Sequence, residues 1–531
     1  MISIRCIRSG LILVLISLTG EISSQNLPDW INGYPDGCTS ITAGKLATFD
    51  GSVITSHTDD SHRTRSSVSI IPPADYPHGS FTEMYRRVAD DTQAMPSYTF
   101  IRTGEIPQVP HTFGYINSAY PCMNDHQVGI GESTFGGRPE LQSSAGMIDC
   151  QDLIRLILER CQSVREALDL TRSILKQYGW NDSGECLTLS DKDEVWHLEI
   201  VGPGKGEIGA VWVAQRVPDE HVSVNANAST IKEVNLTNKD FFQASDNLYE
   251  VALKNGWWHE GEVFRFCYAY APESRTSIAS RRREWRIFNL LAPSVKLDPY
   301  AENYPFSVKP DKPVTMKDLI NVFKDYYEGT EYDMTKDITV TDDQGKTVIS
   351  PLANPFMPYD MNKIFKINGG WGALGERTIA RWYTMYGTII QSRSWLPDEI
   401  GGLVWFALDN VATSVYIPVY CSVTDMPQSY KVDGRMTGFS RESAWWAFNH
   451  LGTLAAQRWG DMRKDVNHVW VPLQDEIFKT TTAKEQQVLG ITDLAERKSL
   501  LTEHTINWGN EVVRQAWKLG DLLWTKYDEK F

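Results

Sequence analysis

The segment "YPDGCTSITAGKLATFDGSVITSHTDDS", Tyr34 to Ser61, holds the residues best placed to do chemistry. Cys38 stands between an Asp-Gly turn and a β-rich run, and two adjacent carboxylates, Asp59 and Asp60, close the stretch. A lone cysteine there can be half of a disulfide, a buried thiol or a nucleophile. A cut between Gly37 and Cys38 would put an α-amino group and a thiol on one residue. An α-amine titrates near pH 8 and a thiol near 8.5, so the residue would carry both base and nucleophile, the logic of N-terminal threonine hydrolases. Glycine in front of the cysteine leaves the scissile carbonyl sterically open.

The elements that must position these residues can be read coarsely. "TSITAGKLAT" and "GSVITSHT" are rich in Thr, Val and Ile and are separated by "FDG", which predicts a β-hairpin starting at the cysteine. That hairpin folds Asp59 and Asp60 back beside Cys38. A strand is expected near Val128 to Ser133, then two helices from about Gln151 to Tyr178 that meet at "CQS", where Leu and Ile recur at helical spacing. "CLTLS", "VWHLEIVG" and "GAVWVAQRV" read as further strands, and the last 90 or so residues as mostly helical. Helices covering a sheet made of distant segments describe an α+β chain.

The amino terminus is expected to be an export signal. Arg5 and Arg8 flank "GLILVLISL", nine apolar residues, where a bilayer span needs about 20. The expected organisation is therefore a signal over 1–24, a propeptide over 25–37, and one hydrolase domain over 38–531 that turns helical from about 440. A secreted or periplasmic location follows, with no membrane span. The net charge of −15 argues against a nucleic-acid partner, which requires clustered Lys and Arg. Removing Cys6 with the signal leaves seven cysteines, an odd number, so at least one cannot pair within the chain. CxxC, HExxH, GxSxG and phosphate-cradling glycine motifs are all absent, which removes the common zinc, serine-hydrolase and nucleotide sites.

With those residues in view, "GCTSITAGKLATFDGSVITSHTDDS" resembles the opening of the dipeptidase A-like cysteine peptidases, a family of N-terminal-nucleophile (Ntn) hydrolases. The likeness continues through "NDHQVGIGEST", "SDKDEVWHLEIVG", "WVAQRVPDEHVSVNANASTI", "SRRREWRIFNLLAPS" and "QSRSWLPDEIGGLVWFALDNVATSVYIPVY". It implies a four-layer αββα sandwich with additional C-terminal helices, and hydrolysis of short peptides without metal or organic cofactor. Cys38 takes the nucleophile position. Asp60 matches the acidic residue that orients the free amine, Asn227 in "NANAS" the amide that donates to the oxyanion, and Arg282 in "SRRREWR" a site arginine flanked by Arg281 and Arg283. Glu132 in "GEST" is a source of backbone donors. His57 and Asp59 are the substrate-binding candidates, Asp59 or Asp60 to receive a substrate ammonium. His57 departs from the pattern, standing where the family carries arginine; a neutral imidazole is no substitute for a permanent bidentate cation. Two other readings stay open: an Ntn acylase acting on bile-salt or penicillin-type amides, and a secreted peptide- or glycan-binding protein without catalysis. A homo-oligomer is compatible with all three.

Overall fold

The computed structural model describes residues 37–90, 97–356 and 377–530. The expected signal and the expected propeptide up to residue 36 lie outside the described residues; Gly37, the residue before Cys38, opens the first strand. The strands that build the site are β1 (Gly37–Ala43), β2 (Val53–Asp60), β3 (Phe81–Asp90), β4 (Ser97–Pro107) and β5 (Gly129–Gly136). They are followed by β6 (Gly184–Ser190), β7 (Val195–Val201), β8 (Val222–Asn225), β9 (Thr384–Ser392), β10 (Leu403–Leu408) and β11 (Ile417–Tyr420).

The expected hairpin forms. β1 and β2 pair antiparallel with Gly37 opposite Asp60, Cys38 opposite Asp59 and Thr39 opposite Thr58. Its loop is held locally: the Asp50 carboxylate accepts from the Ser52 amide and hydroxyl, at 3.1 and 2.6 Å, and Gly51 supplies a φ of +84°, which only glycine adopts without cost. The hairpin lies inside a seven-stranded sheet ordered Ser307–Val308, β8, β1, β2, β9, β10, β11. A second, eight-stranded sheet has β7, β6 and β5 at its middle. β5 packs across β1, β2 and β9, so the two sheets face each other over the hairpin.

That interface is unusually polar. Alternate side chains of β1 point at the second sheet: Cys38, then Ser40, whose hydroxyl donates to the Glu132 carbonyl at 3.0 Å, then Thr42, 3.0 Å from His197 Nε2. β5 comes close enough to do this because it is glycine-rich there. A Cβ on Gly131 would lie 2.2 Å from the Ser56 carbonyl oxygen.

Helices α1 (Cys150–Arg160) and α2 (Val164–Tyr178) pack on the second sheet. They are separate because Ser163 caps α2, accepting from the Glu166 amide, a geometry that needs extended backbone at the cap. α3 (Ile278–Leu291) packs beside β8. α4 (Ala444–Gln457), α5 (Trp459–Leu489) and α6 (Leu494–Lys526) cover β10 and β11. No helix among the described residues is long and apolar enough to cross a membrane.

Candidate active site

Cys38 is the second residue of β1 and 4% exposed. Its backbone N–H donates to Asn227 Oδ1 at 3.0 Å and its thiol to Glu132 Oε2 at 3.0 Å. The two groups expected to act as amine and nucleophile therefore each have a fixed acceptor from a different sheet. Burial, then the charges of Glu132 and Asp59, push the thiol's pKa well above its ordinary range, so Cys38 is a neutral thiol while Gly37 is attached.

Asn227 follows β8 with a φ of +57°, a left-handed conformation that asparagine tolerates better than most residues. Its backbone is pinned by Ser133 Oγ, which accepts from its N–H at 2.9 Å, and by the Ser280 hydroxyl, which donates to its carbonyl at 2.9 Å. Oδ1 receives Cys38 N–H, Arg283 Nη2 at 2.9 Å and Arg377 Nη1 at 3.0 Å, while Nδ2 donates to the Thr134 carbonyl at 2.7 Å. Three donors around one atom fix which end is oxygen. The expectation of an amide donor aimed at an oxyanion is thus corrected: toward Cys38 this side chain presents an acceptor, and its donor is already bound.

The arginine on α3 also needs correction. Successive helical residues point about 100° apart, so only one of Arg281, Arg282 and Arg283 can face the nucleophile. Arg282 turns away, its guanidinium 3.5 Å from the Tyr332 ring centre and donating to the Pro299 carbonyl. Arg283 faces the site, donating to the Cys38 carbonyl at 2.6 Å and to Thr39 Oγ1 at 2.9 Å. Burial and the like charge of Arg377 lower its pKa to about 9.

Asp60 is fully buried beneath Gly37, where its carboxylate binds the Arg377 guanidinium and accepts from Thr384 Oγ1 at 2.5 Å. Arg377 carries no motif that pointed to it in the sequence. It touches both Asp60 and Asn227, and a Cβ on Gly37 would collide with its Nη1 at 2.1 Å. A side chain before Cys38 would therefore force the Arg377 guanidinium to shift. Burial acts against the charge on Arg377, but Asp60 together with Tyr383, Cys38 and Tyr327 outweighs it and holds its pKa above the usual value.

Asp59 stands directly opposite Cys38 and accepts from Thr64 Oγ1 at 2.7 Å. His57 is enclosed between the sheets, with ring centres of Tyr120 and Tyr386 at 5.2 and 5.8 Å and Nδ1 2.8 Å from the Glu132 carbonyl oxygen. Burial lowers its pKa. His57, expected as a substrate contact, lies between the sheets and holds the backbone of Glu132.

Behind Glu132 lies a second carboxyl, Glu185. Thr134 Oγ1 is 2.9 Å from Glu132 Oε1 and 2.9 Å from Glu185 Oε1. A hydroxyl has one hydrogen to give, so one carboxyl must donate to it and be protonated. Burial, and the charge of Glu132, push Glu185 well above the carboxylate range, which makes Glu185 the neutral member. Ligand atoms of Cys38, His57 and Glu132, and of Glu132, Cys150 and Glu185, are each close enough together to hold a metal ion. The bond from the Cys38 thiol to Glu132 and the Thr134 hydroxyl between Glu132 and Glu185 account for part of that closeness.

Comparison with known proteins places this geometry in a family. The model of Peptidase family C69 matches residues 37–471, and the chain belongs to that family of peptidases. The match begins one residue before Cys38. Among similar proteins, probable dipeptidase B of Lactococcus lactis subsp. lactis (strain IL1403) is 25% identical over 475 residues, 87% of this chain and 88% of that protein. Dipeptidase A of Lactobacillus helveticus is 22% identical over 466 residues, 86% and 88% of the two chains. Probable dipeptidase A of Streptococcus pyogenes serotype M3 (strain SSI-1) is 23% identical over 489 residues, 88% and 94%.

Proposed function

We propose that the chain is an exported cysteine dipeptidase whose nucleophile, Cys38, becomes the amino-terminal residue when the Gly37–Cys38 bond is cut. The export assignment rests on the charged and apolar pattern of residues 1–24. The two facing sheets, with helices on their outer sides, are read as the αββα sandwich of the Ntn hydrolases. The observation that carries the reading is the pair of bonds at Cys38: nitrogen to Asn227 and sulfur to Glu132, at 3.0 Å each. Both acceptors are side-chain atoms that make further hydrogen bonds of their own, whereas the buried Cys421 gives its amide and its thiol to the backbone carbonyls of Gly402 and Asp398.

In this mechanism the freed α-amine, oriented by Asn227 Oδ1, takes the thiol proton. The thiolate attacks the peptide carbonyl, the substrate's amine leaves with a proton, and water hydrolyses the thioester. Arg377, packed against Gly37, puts positive charge where the carbonyl oxygen becomes an oxyanion. Fixed electrostatic groups of this kind contribute about 3–4 kcal/mol to the barrier. The similarity to proteins named dipeptidases supports short peptides as substrates.

Intact mass and N-terminal sequencing of active protein are expected to find Cys38 first. Cys38→Ala is expected to retain the segment before residue 38 that remains after signal removal, and to hydrolyse no dipeptide. An active protein that still carries residues before Cys38, or undiminished turnover by Cys38→Ala, rejects the mechanism. Turnover of acyl amides in place of dipeptides would reassign the substrate while keeping the nucleophile.

A further inference from the structure

A cleft of about 340 Å³ opens beside the hairpin, within the size range of small-molecule sites. Tyr85, Tyr98 and Phe100 of the β3–β4 ribbon line it with Tyr115 and Met436. It reaches the nucleophile's neighbourhood through Thr64, which lines the cleft and donates to Asp59, the residue opposite Cys38.

Arg65 lines the same cleft. Most deep arginines of this protein are matched to carboxylates: Arg286 to Asp325, Arg393 to Glu485, Arg377 to Asp60. Arg155, across the cleft, is matched to Asp152 and Glu159. Arg65 has no carboxylate within ion-pair distance among the described residues. Its guanidinium is held by oxygens of neutral groups alone: the Ser67 carbonyl at 2.5 Å, Asn117 Oδ1 at 2.8 Å and the Ser118 carbonyl at 2.5 Å. These oxygens accept from its Nη1 and Nη2 donors and hold it rigid, while the carboxylates of Asp433, which also lines the cleft, and Asp59 act on it from beyond ion-pair distance. Burial lowers its pKa, and the more distant charges of Asp433 and Asp59 oppose this only in part.

We propose that this cleft binds the C-terminal carboxylate of a short peptide, with Arg65 as the anchor and the ribbon's aromatic rings around the adjoining side chain. The proposal rests on the dipeptidase reading and sharpens it. A terminal carboxylate fixed in the cleft sets how far the scissile amide lies from the end of the substrate. An internal stretch of a long chain offers no anion to Arg65 and forgoes a charge-assisted contact.

Steady-state kinetics on the mature protein, with a dipeptide panel and the C-terminal amide of the best dipeptide, read this directly. The free acid is expected to exceed its amide in kcat/KM by tenfold or more, mainly through KM. Arg65→Gln is expected to abolish that ratio. Equal kcat/KM for acid and amide in the unmodified enzyme, or a ratio that survives Arg65→Gln, overturns the carboxylate anchor and leaves the dipeptidase reading standing. Cleavage of no dipeptide at all overturns the dipeptidase reading itself. Should Arg65→Gln not fold, Arg65→Lys takes its place, keeping a point charge while losing the planar fork: a ratio reduced severalfold supports the anchor, and an unchanged ratio overturns it.

Discussion

Two carboxyls 53 positions apart in sequence share the hydroxyl of Thr134 and so divide their protons unequally. Glu132 accepts from the thiol, and its carboxylate charge is one of the causes that raise the pKa of Cys38. Replacing Glu132 with Gln removes that charge, so the Cys38 thiol is expected to ionise at lower pH. Thiolate ultraviolet absorbance followed across pH reads the change, and a midpoint that stays put or rises contradicts it. Glu185 is the neutral member. Glu185→Gln is expected to remove one neutral-carboxyl band from the infrared spectrum at pH 7; an unchanged band would show that the proton sits elsewhere. Neither residue's role could be read from sequence. Glu132 lies 94 positions from Cys38, and nothing local to "GEST" marks its side chain, rather than its backbone, as the group that meets sulfur.

At the scale of elements, the site depends on how closely β5 crosses β2. Gly131 makes that approach possible, because any side chain there meets the Ser56 carbonyl and Thr188 Oγ1. Overpacking of this kind costs about 1–3 kcal/mol. Gly131→Ala is expected to lower the denaturation midpoint by a corresponding amount and to reduce turnover further, since the strand that carries Glu132 must move away from Cys38. Full activity at an unchanged midpoint would refute this. The hairpin itself was legible, because Thr, Val and Ile runs around "FDG" encode it locally, and so were α1 and α2, from the apolar spacing on either side of "CQS". Arg377 was not legible: it precedes β9 without a motif and reaches Asp60 only after 317 residues of intervening chain fold. The choice of Arg283 over Arg282 depended on the rotation of α3 about its axis, which three consecutive arginines cannot reveal.

Across the whole molecule, the sheet and the C-terminal helices are joined partly through a titratable group. Asp409 follows β10, is 2% exposed, and accepts from Asn449 Nδ2 of α4 at 2.8 Å. Burial pushes its pKa up to about 7, against roughly 3.9 in an unfolded chain. Between those values the folded protein holds a proton that the unfolded chain releases. This group's contribution to stability is therefore complete below about pH 4 and is lost as pH rises through 7. Asp409→Asn is expected to flatten the decline of Tm between pH 5 and 8; parallel profiles for the two proteins would refute the assignment. The six cysteines other than Cys38 in the described residues are all buried and unpaired, and burial raises the pKa of each. To an alkylating reagent at neutral pH the described residues therefore behave almost as if they held no cysteine. Under the proposed processing, which also removes Cys6, any sulfur the reagent does modify, mole for mole, counts the molecules in which Cys38 has been set free.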